Sequence, residues 1–312
     1  MALGVISLVA CSHAWDDFDP RLGVASTGGA TSASSSSQGS GASGSTTSGG
    51  LGGSGNAGGV GNGGKGAGGA AGSGAQGGCG ATGYSDEVTA DAPVAYWRLG
   101  EAVGSLVASD ELGASDGQAL GGVTFGSPGV LACDADTSAT LDGTSGRIDI
   151  GDKFDFAGSV HYSVEAWVYP TVLDTSYRRI FSKETHDAMM LRQGYTAYMR
   201  GPGTNVFGFE RWVDNTIAAQ IHSDVPLPLA TWSHVVSVFD GTDTLLYVNG
   251  APYMGMQVAN GVPIVEHGGA FVWGATSEAS SYFAGRLDEL AIYDKALSGA
   301  RIAAHFAAAK GR

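Results

Sequence analysis

Apolar and polar residues alternate along TWSHVVSVFDGTDTLLYVNG, residues 231–250. Trp232, His234, Val236 and Val238 fall on one side, and Ser233, Val235, Ser237 and Phe239 on the other. A period of two places successive side chains on opposite faces of a strand. Asp240-Gly241 then signals a turn, and residues 244–248 read as the returning strand of a hairpin, with Asn249-Gly250 opening the next turn. Comparable short runs recur in AYWRL (95–99), RIDIGD (147–152), YSVEAWVYP (162–170), RRIFSKE (178–184), FGFERWV (207–213), AAQIHSD (218–224) and AFVWGAT (270–276). Gly, Asp, Asn and Pro separate them. No helical period is read before GARIAAHFAAAK (299–310), which Ser298 is placed to cap and where Ile302 and Phe306 share a face. His305 is expected at the rim of that docking helix. The pattern predicts an all-β fold: a two-sheet antiparallel jelly-roll sandwich with a short C-terminal helix.

One apolar run contains a contradiction. In FAGRLDELAIYDKALS (283–298) the acid pair Asp288-Glu289 interrupts Leu287, Leu290 and Ile292. In a regular strand Leu287 and Leu290 would point to opposite faces. An extra residue at the acid pair, a β-bulge, would turn all three inward.

Composition divides the chain. Between Gly23 and Gly83 there is no aromatic residue, and the lone charge is Lys65. Gly, Ser and Ala dominate, so this stretch cannot bury enough apolar surface to offset its ordering entropy and is expected to be a disordered linker. Three parts follow: a signal-like segment at 1–11, a tether at 12–83 and a sandwich domain at 84–312. The net charge of −14 belongs almost wholly to the last part. Such a surface repels phosphates and argues against nucleic acid as a partner.

The opening MALGVISLVAC resembles the end of a bacterial lipoprotein signal, with Leu8-Val9-Ala10-Cys11 as the lipobox and Cys11 as the lipidated residue. It lacks the positively charged start of such signals. The alternative is a short buried or disordered apolar end. A flexible stalk directly afterwards suits an anchored domain, so the expected location is the cell envelope, lipid-anchored at the outer membrane, or secreted. If Cys11 is acylated, Cys79 and Cys133 remain. An oxidising compartment favours their bonding, which in the chain-entropy account would stabilise by up to about 4 kcal/mol. Two free thiols are the alternative, since spacing does not show that the sulfurs meet.

PVAYWRLGE, SATLDGTSGRIDIG, YSVEAWVYPT, TWSHVVSVFDGTDTLLYVNG and FAGRLDELAIYDKALS occur in this order. Together they resemble the laminin-G-like jelly-roll domains of the concanavalin A-like lectin/glucanase superfamily, over about residues 84–309. The resemblance implies two antiparallel sheets of six or seven strands, often with a structural calcium. Calcium takes six to eight oxygens from carboxylates and from the carbonyls of tight turns. ASDELGASDG (108–117) supplies both kinds, and in the resembled family a loop here and an acid on the last strand commonly hold calcium together. By that analogy the ligands are Asp110 and Asp288, with carbonyls around Asp116 and Gly117. The alternative for Asp288 is an ion pair with Arg286 or a turn cap.

Catalytic chemistry is not legible. Glucanases of this superfamily carry a Glu-x-Asp-x-(x)-Glu string on one strand, and no such string occurs. Glu165 stands alone in VEAW, and Glu210 and Asp214 lack a third acid in pattern. The histidines show no zinc spacing. GSGNAG (53–58) and the GGKG around Lys65 lie in the linker, without the strand and helix that a phosphate loop needs. The expectation is therefore a non-catalytic binding or adhesion module for glycans or surface proteins. A glucanase-like hydrolase using acids from different strands, or a spacer without ligand, stands as the alternative. Tyr195, Tyr198, Trp212, Tyr253 and Tyr282 lie near polar turns as candidate sugar platforms, while Trp97, Trp167, Trp232 and Trp273 read as core.

Overall fold

The computed structural model describes residues 83–132, 134–186, 189–201, 206–223, 225–259 and 268–310. Cys11, Cys79, Cys133 and the tether before residue 83 lie outside the described residues. Helix α1 (Tyr84–Ala90) precedes β1 (Ala95–Trp97), β2 (Val107–Ala108), β3 (Gly117–Leu120), β4 (Val123–Pro128), β5 (Thr137–Asp142) and β6 (Arg147–Gly151). Longer strands follow: β7 (Tyr162–Pro170), β8 (Arg178–His186), β9 (Arg192–Met199), β10 (Phe207–Val213), β11 (Thr216–Ser223), β12 (Ser233–Phe239) and β13 (Thr244–Val248). The chain continues through β14 (Ala251–Pro252), β15 (Met256–Ala259), β16 (Phe271–Trp273), β17 (Ala284–Tyr293) and helix α2 (Gly299–Ala309).

Two antiparallel sheets result. The first runs β14-β13-β12-β7-β17-β5-β4, with β1 also on β17; the second runs β15-β11-β10-β9-β8-β16-β6-β3-β2. They hold eight and nine strands rather than the six or seven implied by the resemblance, because short edge strands extend both sheets. Trp97, Trp273, Phe181, Phe271, Tyr162 and Phe209 fill the space between the sheets, all at most 1 % exposed. Trp97 and Trp273 meet edge-on at 6.0 Å. Aromatic pairs prefer this geometry because ring edges are positive and ring faces negative. Trp167 is buried as well, but under the helices, and Trp232 is only partly buried there.

The alternation read in β12 holds. Val235 and Phe239 enter the central core, whereas Val236 and Val238 face the opposite way, into a second apolar layer with Tyr84, Val88, Trp167 and Ile302. Helices α1 and α2 cover this outer face of the first sheet. Helix α1 was not expected: seven residues are too few for a clear period. Its signal was the i, i+4 pair Tyr84 and Val88, both buried, behind Asp86, whose carboxylate accepts the Gly83 N–H at 3.0 Å. At α2, the Ser298 hydroxyl accepts the Arg301 N–H, as the sequence predicted.

Between the helices and the sheet lies a buried polar cluster. Glu165 alternates with core-facing Val164 and Ala166, so its carboxylate points to the helix side. It accepts hydrogen bonds from Tyr84 Oη (2.7 Å), Tyr293 Oη (2.8 Å), His234 Nε2 (2.6 Å) and His305 Nδ1 (3.0 Å). His305 Nε2 lies 2.9 Å from Asp91 Oδ2, which Arg301 also holds at 2.7 Å. With a carboxylate at each nitrogen, the surroundings of His305 favour the protonated ring, which donates from both nitrogens. Burial opposes that charge, but the bonds and charges of Glu165 and Asp91 outweigh it and raise the His305 pKa above 6.5. Burial likewise opposes the Glu165 anion, and the two histidines prevail, holding it well below the usual carboxylate range. The rim position expected for His305 is thus corrected: it is 0 % exposed and ties α2 to the sheet.

Candidate functional site

The predicted bulge is present, and the topology explains it. Along one edge β17 follows β7, with a register shift between Asp288 and Ala291. Along its other edge it pairs with β5 through residues 284–287 and with β1 through residues 290–292. The acid pair occupies the gap between those two partners. Glu289 takes φ +49°, a left-handed conformation unusual for a residue with a side chain. Leu287, Leu290 and Ile292 all reach the central core as a result.

Each acid of the pair fastens a different neighbour. Glu289 accepts the Tyr96 hydroxyl, and its Oε1 accepts from Arg98 Nε (3.2 Å) and Nη2 (3.0 Å). Arg98 also reaches Asp134 at 2.5 Å and Asp136 at 2.9 Å. Asp288 Oδ2 accepts the Val130 N–H at 2.7 Å, while its buried Oδ1 has no partner among the described residues. Burial raises Glu289 to about 7 against the pull of Arg98. Burial and the adjacent Glu289 charge raise Asp288 to about 8, so at neutral pH its carboxyl is mostly protonated.

The four residues expected around calcium are not drawn into one set. Asp110 Oδ1 accepts N–H groups from Tyr96 (2.9 Å) and Leu112 (3.1 Å), and Oδ2 accepts those of Ala114 (3.0 Å) and Ser115 (2.9 Å). A carboxylate has about four acceptor positions, and backbone amides take all of them. Asp116 Oδ1 accepts the Asp110 N–H at 2.9 Å. Gly117 pairs with Ala108, and a Cβ there would stand 2.6 Å from Ile148. Asp110 thus organises its own loop. Among the described residues no group of three or more His, Cys, Asp or Glu is placed to hold a metal. The residues named for calcium do not fit it as a set. The alternative pairing of Asp288 with Arg286 fails too: Arg286 donates to Pro128 O at 2.8 Å and lies 3.8 Å over the Tyr169 ring.

A different region combines exposure with polar convergence. Three loops at one end of the sandwich, before β6, before β8 and before β17, enclose a cavity of about 520 Å³. Thr144, Ser176, Tyr177, Arg178, Ser281 and Tyr282 line it. Arg178 braces the loops, donating to Asp174 Oδ1 (3.2 Å) and to Tyr282 O (2.9 Å). Tyr177 is 38 % exposed, and its ring stands edge-on to Tyr198 at 5.0 Å. Of the tyrosines singled out in the sequence, Tyr282 lines this cavity, Tyr195 and Tyr198 are fully buried, and Tyr253 packs against Phe207. Tyr177 was missed because an isolated tyrosine in a loop carries no periodic signal.

The outward face of the second sheet carries charge. Phe209 of β10 faces the core, and Glu210 alternates outward. It accepts Trp212 Nε1 at 2.9 Å. Glu184 accepts Arg192 Nη2 at 2.6 Å, and the same nitrogen lies 3.6 Å from Glu210 Oε2. Arg192 also lies 4.0 Å over the Trp212 ring. Gly208 keeps this face open for Tyr198, because a Cβ there would stand 2.9 Å from the tyrosine hydroxyl.

Comparison with known proteins agrees with this architecture. Residues 142–303, just over half of the chain, match a laminin G family profile described as the concanavalin A-like lectin/glucanases superfamily. No curated protein matches the chain. Domain 4 of AbnA, a GH43 extracellular arabinanase from Geobacillus stearothermophilus, was solved in complex with arabinotriose. It superposes with a TM-score of 0.52 at 19 % identity, covering 68 % of this chain and 97 % of that one. The binding domain of Paraclostridial Mosquitocidal Protein 1 gives 0.50 at 14 % identity, covering 68 % of this chain and 51 % of that one. Trypanosoma rangeli sialidase in complex with sialic acid gives 0.50 at 12 % identity, covering 68 % of this chain and 32 % of that one. This chain therefore spans about half of the mosquitocidal chain and a third of the sialidase. Identities this low show a shared fold only. From the profile match and the sandwich that bears it, this chain belongs to the concanavalin A-like lectin/glucanase superfamily.

Proposed function

We propose that the domain is a non-catalytic binding module for glycans, displayed at the cell envelope on a lipid anchor at Cys11. The observation that carries this reading is the loop-built cavity with Tyr177 and Tyr282 at its wall. A concave site with part-exposed rings and a few fixed polar groups is what a small polar ligand needs, and tyrosine offers an apolar face with a polar tip. The arabinanase domain that this chain resembles was solved with arabinotriose, which supports a saccharide over a protein surface. The test is a glycan array followed by titration of the hits. Tyr282→Ala should weaken binding by about tenfold, the loss of roughly 1.4 kcal/mol, without lowering the melting temperature by more than a few degrees. Undiminished binding in that variant would place the ligand elsewhere, and an array without hits would favour a surface protein.

A second reading rests on Glu184 and Glu210. Sharing one Arg192 nitrogen at 2.6 and 3.6 Å, their Oε2 atoms are at most 6.2 Å apart. Retaining glycosidases hold two carboxyls about 5–5.5 Å apart. Here, however, both carboxylates are engaged by arginine and tryptophan donors, which places hydrolysis second. Glucan turnover by the purified protein, abolished by Glu184→Gln or Glu210→Gln, would reverse the order.

A further inference from the structure

Arg179 of β8 is only 7 % exposed. Its Nη2 donates to Glu184 Oε1 at 3.1 Å. Its Nε–H and Nη1–H, both buried, have no partner among the described residues. An open buried donor is expensive, and more so on a charged group, so such a group calls for an explanation. Arg200 repeats the feature: Nη1 donates to Tyr177 Oη at 3.0 Å, while its buried Nε has no partner among the described residues. Both guanidiniums gather on one ring, their central carbons 5.5 Å and 4.7 Å from the Tyr177 centroid. Tyr177 also lines the cavity. The open donors therefore lie beside the proposed glycan site, next to its exposed ring.

Local charge is close to balanced, unlike that of the whole chain. Arg178, Arg179 and Arg200 stand here with Asp174, Glu184 and Asp142, whose carboxylate holds Thr144 of the cavity wall. The chain's −14 repels anions at long range, but salt screens that field beyond about 8 Å. At contact the nearby guanidiniums decide.

Resting on the glycan reading above, we infer that the Tyr177 cavity takes an acidic saccharide, whose carboxylate or sulfate fills the open donor edge of Arg179 beside Arg200. A guanidinium presents its N–H groups as a planar fork that matches two oxygens of one anionic group. The anion reaches Arg179 past Tyr177, whose exposed ring can turn aside at the loss of its bond to Arg200.

The test is calorimetric titration of the full-length protein with three oligosaccharides of equal length: galacturonate, its methyl ester and a sulfated neutral chain. The acidic forms should bind at least about tenfold more tightly than the ester, a charge-assisted bidentate contact being worth that much. Arg179→Lys keeps a cation beside Glu184 but removes the fork. It should lose about tenfold in affinity for the acidic forms and stay within about twofold for the ester. If Arg179→Lys melts early, Arg200→Gln carries the same comparison. Preference for galacturonate over the sulfated chain would assign the site to carboxylates; equal affinity would assign it to anionic sugars in general. Equal binding of acid and ester, or equal losses of both on substitution, overturns the acidic assignment and leaves the glycan reading standing. Silence toward all three, together with hits among other neutral glycans lost in Tyr282→Ala, does the same. Silence toward every glycan removes both.

Discussion

Replacing Glu165 with alanine should destabilise the protein by about 3–5 kcal/mol, the range for removing one partner of a buried ion pair. Four donors converge on this carboxylate, and none of those donor atoms has a second acceptor among the described residues. Truncation leaves the buried hydroxyls of Tyr84 and Tyr293 and the buried Nε2 of His234 and Nδ1 of His305 without an acceptor, His305 keeping only Asp91. The damage should be directional. Tyr84 belongs to α1 and His305 to α2, so both helices lose their polar attachment to β7 at once. Equilibrium denaturation measures the total. Hydrogen exchange locates it, and amides of α1 and α2 should lose protection before those of β7 and β12. Glu165→Gln keeps the shape and two acceptor lone pairs but not the charge, so it should fall between wild type and alanine. A loss below about 1 kcal/mol for the alanine variant, typical of a surface pair, would show that the helices are held by apolar packing alone.

Stability should fall as pH rises from about 5 to 9. The sign follows from the acid pair. Asp288 titrates near 8 in the folded chain against an ordinary 3.8, and Glu289 near 7 against 4.5. A carboxyl that holds its proton more tightly when folded favours the folded state below its unfolded pKa, and that advantage is lost as pH rises through the folded one. His305 adds to the trend: its folded pKa is raised above 6.5, so its contribution is complete below that value and lost as pH climbs through the folded value. Glu165, held low by His234 and His305, acts oppositely: its stabilisation is present above about 4.5 and is lost on acidification. An optimum near pH 5 follows. A tenfold change in a group's proton affinity on folding is worth about 1.4 kcal/mol. The Asp288 and Glu289 charges interact, so a combined loss of a few kcal/mol by pH 9 is the expected scale. Asp288→Asn removes the larger share and should raise stability at pH 8 while flattening the slope. Denaturant midpoints at pH 5, 7 and 9 in the presence of chelator test this. If Asp288→Asn is instead less stable at pH 8, and calcium raises the melting temperature of wild type but not of the variant, Asp288 serves as a cation ligand after all.

The sequence by itself determined whatever neighbouring residues decide. Alternation in 233–239 and the Asp240-Gly241 turn fixed a hairpin and assigned each side chain to a face, because backbone geometry sets the period of two and local turn chemistry sets the reversal. The misfit of Leu287, Leu290 and Ile292 was enough to place a bulge at the acid pair, since a covered sheet tolerates one register only. Ser298 marked the start of α2 for an equally local reason. The purpose of the bulge was not legible. It lies where β17 exchanges β5 for β1, and those strands are far from β17 along the chain. Asp110 looked like a cation ligand because its type and glycine-rich loop suit one; only the fold showed four backbone amides closing on it. Glu165 looked like an isolated acid because its partners are 81, 69, 128 and 140 residues away. Arg179, Tyr177 and Arg200 meet through strand pairing and a loop, with no pattern linking them along the chain. Burial of a polar group demands a partner but does not say where in the sequence that partner is, and sheet order alone supplies the answer.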